Sequence, residues 1–331
     1  MKIIVDPTHI DHGQWEALAR RSTVSNIFQT REMYAFYTKL NLYPIKVFAV
    51  EEGGTLRGLL VCMIQGEGRG LRRRITSRAI INGGPLLDDI ISDKALELLL
   101  TTAIIQLKRE CIYIETRNLN DYSRWKDVFI RSGFNYIMHN NFHVDTTSIE
   151  IVNKNMDSNR RRCIRRATEN NAVISTDIVY LPDFYNILKD LYHTKVHKPL
   201  PPYTFFEELA TESYVRYFFV LSPQNEVIGG HLTLILDNRV IYSWYCCGLD
   251  RKYHNLYPSI MANYAAISYA TKNGIARYDM MGAGTPDKKY GVRDFKSQFG
   301  GTLVEHGRFL HVCSPIIYNS GKAIMNLLNN K

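Results

Sequence analysis

Hydrophobic and polar positions follow two periods along the chain, and each switch between them marks the edge of an element. A short apolar strand opens the sequence. A 3.6-residue period then predicts helices over 12–21 and 30–40, the second with Thr30 as its N-cap. Period-two runs predict strands over 44–51, 55–64 and 75–81, the first two turned at Gly53-Gly54. A helix over Ser92–Arg109, a strand over 111–117, a helix over 121–131 and a strand over 134–146 complete the half.

The second half repeats this order after an extra helix over 156–170. A strand over 173–178 leads to helices over 181–195 and 203–211, then strands over 215–222, 227–236 and 239–247. A helix over 257–273 stops at Gly274, the residue type that most easily takes the left-handed C′ conformation. A strand over 276–281, a glycine-rich loop, a short helix ending near Phe299 and a strand over 302–312 follow. Three meandering strands followed by strand–helix–strand units predict an α/β fold with mixed sheets. The doubled order resembles two GNAT acyltransferase folds in tandem. We therefore expect one domain over 1–150 and a second over 151–313. A chain of 331 residues also exceeds what one core usually fills.

Composition adds little to this picture, and charge adds more. Hydrophobic content of 45% with 22% charged residues is that of a globular protein. No run is long and apolar enough to span a bilayer, and the N-terminus lacks the apolar core of a secretory signal. The six cysteines have no metal-binding spacing, so free thiols in a reducing cytoplasm are expected. The net charge of +9 fits an anionic partner such as tRNA, a nucleotide diphosphate or a membrane surface, and equally fits plain solubility. Two basic clusters concentrate it, Arg69–Arg74 and Arg160–Arg166.

Several motif matches lack the context their chemistry requires. Gln65-Gly-Glu-Gly68-Arg-Gly70 matches the loop on which acetyltransferases hold the coenzyme A pyrophosphate. That loop must open a helix, and here a strand is expected next, which makes it a hairpin tip. The corresponding stretch of the second half, Asp250–Pro258, has no glycine. His193 and His197 stand one helical turn apart without a third ligand, so no metal site is expected. Gly282-Ala-Gly284 is a lone GxG.

The most informative stretch is Arg277–Gly301. A strand ends in Asp279, a glycine-rich turn follows, and a short helix carries Phe295-Lys296-x-x-Phe299-Gly300. Glycines after a strand let a ligand approach the backbone, and an ammonium there can stabilise an oxyanion or a phosphate. The same residues also read as two core phenylalanines beside a solvated lysine. On the arginine helix, Ile164 and Ala167 form an inward stripe. Arg161/Arg165 and Arg162/Arg166 then become exposed i,i+4 pairs suited to phosphate, or simply a solvated face.

Four stretches together resemble the Fem family of peptidoglycan bridge-forming aminoacyltransferases. They are Asn26-Ile-Phe-Gln-Thr30, Asn82-Gly-Gly-Pro85, Asn159–Val173 and the run from Tyr278 to Gly300. The short His197–Pro202 connector resembles the compact, FemX-like type without a long helical arm. The resemblance implies transfer of an aminoacyl group from aminoacyl-tRNA to an amine of a nucleotide- or lipid-linked peptidoglycan precursor. It implies no cofactor, a cytoplasmic location with peripheral membrane contact, and a C-terminal helix over 314–331 packed back on the first domain. Lys296 and Phe295 would be catalytic. Arg293, Tyr290, Asp279, Tyr245, Lys198, Tyr203 and Lys39 would bind substrate, and Arg161, Arg162, Arg165 and Arg166 would bind the anionic tRNA. Asp279 also reads as structural, and no general base is evident. Two alternatives stay open: an N-acyltransferase using acyl-CoA or acyl carrier protein, and a non-catalytic module binding RNA or a nucleotide-linked precursor.

Overall fold

The computed structural model describes residues 1–68 and 70–329, so Arg69 and the last two residues of the expected C-terminal helix lie outside the described residues. Two compact units form: residues 1–139 together with those from 305 onward, and Asn140–Val304. The strands in chain order are β1 (Lys2–Ile4), β2 (Ile45–Glu52), β3 (Thr55–Gln65), β4 (Arg78–Gly83), β5 (Leu86–Leu87), β6 (Tyr113–Asn118) and β7 (Asn135–Ile137). They continue with β8 (Asn140–Asp145), β9 (Val173–Ser175), β10 (Val215–Leu221) and β11 (Val227–Leu236). The set closes with β12 (Val240–Gly248), β13 (Arg277–Gly282), β14 (Thr302–Glu305) and β15 (Arg308–Val312).

The first unit's sheet has the order β1-β2-β3-β4-β6-β15-β7, with β5 beside β3, and the second unit's has β9-β10-β11-β12-β13-β8-β14. The two orders match position by position. In both, the fourth and fifth strands run parallel: β4 with β6, and β12 with β13. The sixth strand breaks the chain order in both sheets: β15, which follows the second unit's last strand, joins the first sheet, and β8, which directly follows β7, joins the second. The strands expected over 134–146 and 302–312 are therefore each divided between the units, and the division expected near residue 150 falls at 139/140. The second break has a local cause. Gly307 takes φ +62°, and a Cβ there would lie 2.2 Å from the Tyr136 ring.

The strand expected from residue 75 starts only at Arg78, because Gly70–Thr76 is helical. The Thr76 and Ser77 hydroxyls donate back to the carbonyls of Arg72 (2.9 Å) and Arg73 (2.7 Å), which closes this turn. Gly70–Thr76 is thus a helix and not a hairpin tip. The expected helix over 156–170 forms as Ser158–Glu169, capped by Asp157, and a further helix not expected from the sequence, Ile149–Asn155, precedes it.

In the first unit, helix Asp93–Leu107 buries Leu96, Leu99, Leu100 and Ala103 against one face of the sheet. Trp15 and Leu18 cover the other face, over Val47, Ala49, Leu59 and Val61. From helix Pro315–Asn329, the Tyr318 ring meets Tyr113 edge-on at 5.6 Å within this unit. In the second unit, Ala262, Ala265, Ala266 and Ala270 bring helix Pro258–Lys272 close to the sheet. Asn263 is the polar residue buried among them.

Two of the four family-like stretches meet in the first unit. The Asn26 amide donates to the carbonyls of Gly83 (3.2 Å) and Gly84 (3.3 Å), and the Gln29 amide donates to Asn82 (2.9 Å). Gly83 and Gly84 both have positive φ, and a Cβ on Gly83 would lie 2.0 Å from Asn26 Oδ1. These stretches latch one loop to another.

Candidate active site

The parallel strands β12 and β13 pair at three positions, Val240↔Arg277, Ile241↔Tyr278 and Tyr242↔Asp279, and then separate. Beyond that point β12 stays with β11 as far as Gly248, after a bulge at Trp244, while β13 stays with β8 at Gly282↔Asn141. The result is a fork whose first unpaired positions are Ser243 and Met280. In the first unit β4 and β6 stay paired at all six positions to Gly83↔Asn118, so the equivalent place is closed.

The β13 arm of the fork is shaped from within. Met281 takes φ +56°, a conformation costly for a side-chain-bearing residue, and its N–H donates to the Asp279 carboxylate at 2.7 Å. Asp279 is fully buried and its other oxygen lies 3.2 Å from His143 Nε2. The half-buried Lys296, on helix Gly291–Ser297, donates its ammonium to the carbonyls of Met280 and Gly282 (2.8 Å), with Met281 at 3.4 Å. Burial pulls the Lys296 pKa down to about 8, against the opposing pull of the Asp279 carboxylate. Lys296 is thus neither free nor simply solvated; it is a positive charge clamped on the fork.

Arg293 donates to the carbonyls of Ala283 (3.0 Å), Thr285 and Pro286, so it ties down the glycine-rich loop. The exposed Tyr290 ring lies against Gly284, where a Cβ would come within 2.9 Å of it. Phe295 meets Phe299 edge-on at 5.3 Å. Arg160, which sequence reasoning passed over, is buried, and its guanidinium lies 4.7 Å from the Phe295 ring centre and 4.8 Å from that of Phe299. It also donates to Gln298 Oε1 at 2.6 Å. The other two family-like stretches, the arginine helix and the Phe-Lys-x-x-Phe-Gly run, therefore meet through this residue.

Under the fork lies a polar group embedded in the core. His231, fully buried on β11, bonds through Nδ1 to the Ala262 carbonyl (3.1 Å) and through Nε2 to Ser243 Oγ (2.9 Å). Burial pushes its pKa down to about 4, so the ring is neutral near pH 7. Tyr278 donates to Asn263 Oδ1 at 2.7 Å, and the Asn263 amide contacts Cys246 Sγ at 3.4 Å. The sequence signal was a polar residue within each apolar element: His231, with Thr233 two residues on, in β11 and Asn263 in its alanine-rich helix.

The remaining expected residues are more scattered. Tyr245 and Tyr203 join one aromatic group: Tyr245 packs on Phe206 (5.1 Å), Phe206 on Tyr185 (5.3 Å) and Tyr185 on Tyr203 (5.4 Å). Lys198 is exposed on the 197–202 connector, and Lys39 is exposed on helix Arg31–Leu40 of the first unit. Arg161, Arg162, Arg165 and Arg166 are exposed, as the inward stripe of Ile164 and Ala167 requires. They are not equivalent. Arg161 donates to the carbonyls of Asn153 and Met156 and so caps the preceding helix. Arg165 lies 3.6 Å from Glu169, and Arg162 donates to Asn159.

The N-terminus of helix Pro258–Lys272 is already occupied by an acid. Asp250 accepts hydrogen bonds from the Ser259 N–H (3.0 Å) and Oγ (2.5 Å). At the matching place in the first unit, Glu52 accepts from the N–H and hydroxyl of Ser92, the N-cap of helix Asp93–Leu107. A pyrophosphate at either end would meet a carboxylate of like charge.

Residues 218–325 match the family model described as the FemAB family, a span that includes β11 to β15 and the whole fork. Comparison with curated protein sequences finds no match. Among solved structures, the chain resembles FemX at 15% identity and a TM-score of 0.72, covering 96% of this chain and 99% of that one. It resembles L-PGS from Bacillus licheniformis at 12% identity and a TM-score of 0.60, covering 92% of each. A tandem GNAT protein from the clavulanic acid biosynthesis pathway aligns at 9% identity and a TM-score of 0.60, covering 95% of this chain and 99% of that one. At these identities the likeness is one of fold. Among the described residues no helix is long and apolar enough to cross a membrane. Family match and fold together support a transferase with a Fem-like tandem GNAT fold, the FemAB match covering residues 218–325.

Proposed function

We propose that the chain transfers an aminoacyl group from aminoacyl-tRNA to an amine of a peptidoglycan precursor peptide, with the fork of the second unit as the reaction site. The observation that carries this reading is the opening of β12 from β13 after Tyr242↔Asp279, with the Lys296 ammonium fixed at the opening. The reaction is attack of an amine on an ester. It passes through an oxyanionic tetrahedral intermediate and needs orientation, charge stabilisation and movement of one proton. Lys296 supplies the charge, while Arg160 and Phe299 hold Phe295 beside it. Exposed Arg162 and Arg166 are the arginines best available to tRNA phosphates. Tyr245, Tyr203 and Lys198 of the second unit are proposed to hold the anionic precursor, in a cytoplasmic protein that meets the membrane only peripherally.

Asp250 at the helix N-terminus favours a donor that needs no pyrophosphate cradle there, and so favours aminoacyl-tRNA over acyl-CoA. The test is incubation with charged tRNA or acyl-CoA and a nucleotide-linked precursor peptide, with the precursor's mass increment as readout. An aminoacyl increment dependent on charged tRNA supports the reading. An acyl increment from acyl-CoA replaces it with the N-acyltransferase reading, and binding without any increment replaces it with that of a non-catalytic module.

A further inference from the structure

The first unit carries a basic surface that the proposed reaction leaves unused. An open cleft of about 250 Å³ lies there, lined by Pro44, Gly70, Arg73, Arg74, Arg109 and Glu110 among others. Helix Gly70–Thr76, one bank of the cleft, is tied back to the end of β3. The Glu67 N–H donates to Thr76 Oγ1 at 2.8 Å, and a Cβ on Gly66 would lie 2.7 Å from Ser77 Oγ and 3.1 Å from the Arg73 side chain. Arg73, Arg74 and Arg109 are exposed, and among the described residues none of them pairs with a carboxylate. The acids on these segments are already taken, Glu67 by Arg72 at 3.7 Å and Glu110 by Lys46 at 3.1 Å. Elsewhere in the unit the exposed Arg131 has its acids, Asp93 and Glu97. Three like charges around one cleft repel each other without internal compensation, and a negatively charged partner relieves that repulsion. The second feature is apolar. Ile75, on the same helix, is 44% exposed, and Leu42, two residues before Pro44, is 37% exposed. Bare aliphatic side chains find no partner on a surface of nucleic-acid phosphates. The boundary layer of a membrane offers both phosphates for the guanidiniums and acyl chains for the aliphatic residues.

We infer that this face docks the chain on an anionic membrane, with Arg73, Arg74 and Arg109 on the lipid phosphates and Ile75 and Leu42 at the edge of the acyl chains. The inference gives a place to the peripheral contact in the reading above and rests on that reading only for the expectation of such a contact. The attachment is electrostatic and reversible. Each cation near an anionic surface strengthens binding by about fivefold, and salt screens the attraction. A helix of seven residues is too short to anchor the protein by insertion alone.

The test is sedimentation of the full chain with vesicles, either equal parts phosphatidylcholine and phosphatidylglycerol or phosphatidylcholine alone, across a salt series and without tRNA or precursor. Binding is expected to the anionic vesicles only, and to weaken as salt rises. Arg73→Gln, Arg74→Gln and Arg109→Gln together should weaken it on the order of 100-fold. Ile75→Ser should weaken it with the salt slope unchanged. Arg73→Lys, Arg74→Lys and Arg109→Lys together keep the charge and should bind nearly as the parent does, which separates lost charge from lost fold. Equal binding by the parent and the glutamine variant, or equal binding to both kinds of vesicle, would overturn the inference. Absence of vesicle binding, with charged tRNA held more weakly by the glutamine variant, would reassign the face to RNA. Displacement by inorganic phosphate beyond that by chloride at equal ionic strength, with binding lost in the lysine variant, would make the cleft a phosphate pocket instead. None of these outcomes decides the transfer reading, which stands or falls by its own mass-increment assay.

Discussion

The Lys296 ammonium lies 2.8 Å from the Gly282 carbonyl and also holds the Met280 carbonyl two residues earlier, so one side chain fixes the part of β13 that has left β12. Charge and shape at the fork thus depend on the same residue. Replacing it by methionine has opposing effects on stability. The carbonyls lose a donor, at about 1–3 kcal/mol, while the penalty of a desolvated ammonium disappears. We expect a small change in Tm beside a fall in turnover of roughly 100- to 1000-fold, both measured on Lys296→Met. Near-parental turnover with an authenticated donor and acceptor would remove Lys296 from the mechanism.

The lowered pKa of Lys296 gives this variant a second signature. The folded state releases the lysine proton near pH 8, whereas the unfolded chain keeps it to about pH 10.4. Between these values the unfolded state binds more protons, so the lysine's contribution to stability rises with pH. Denaturant titrations of the parent minus those of Lys296→Met should rise across that window, while the parent's turnover falls above about pH 8 as the ammonium is lost. A flat difference would mean that the folded protein does not depress this lysine.

Arg160 is expected to matter through packing. Arg160→Met loses the bond to Gln298 and the cation lying over two rings, at about 1–3 kcal/mol. Arg160→Lys should not restore it, because an ammonium lacks the flat fork that meets ring and amide together. Thermal melts of both variants, with turnover on the methionine variant, check this. A lysine variant as stable as the parent would contradict it.

Among the exposed arginines, Arg162→Gln with Arg166→Gln is the cleaner probe of RNA binding, because Arg161 also caps the helix before it. The double variant should keep its stability within about 0.5 kcal/mol. Its affinity for charged tRNA should fall, and the salt dependence should flatten by about one unit of log–log slope for each phosphate that is no longer neutralised. An unchanged slope would make this surface a solvated face.

Two glycines separate backbone conformation from close approach. Gly274 takes φ +66° with nothing within 4 Å of a Cβ, so Gly274→Ala should cost about 1 kcal/mol. Gly300 takes φ +78°, and its Cβ would lie 2.4 Å from the Asn155 backbone. Gly300→Ala should therefore cost at least about 2 kcal/mol more, measured by denaturant midpoint at fixed slope. Equal costs would imply that the Asn155 turn yields freely.

Local periodicity determined most of the elements of this protein. The helices over 12–21 and 30–40, the meander at 215–248 and the inward stripe of the arginine helix all follow from which residues must leave water. The four family-like stretches were legible for the same reason, since each is a short run. Their roles were not. Asn26 and Gln29 latch onto the 82–85 loop, and Arg160 packs under the Phe295 run 135 residues away. Only tertiary structure decided that two continuous alternating runs each divide between sheets, because a period of two continues unbroken when the partner strand changes. It alone made the fork, since separation of β12 from β13 is a property of two strands and is written in neither. His231 and Ser243, twelve residues apart on different strands, become a pair only when antiparallel register sets their side chains on one face of the sheet.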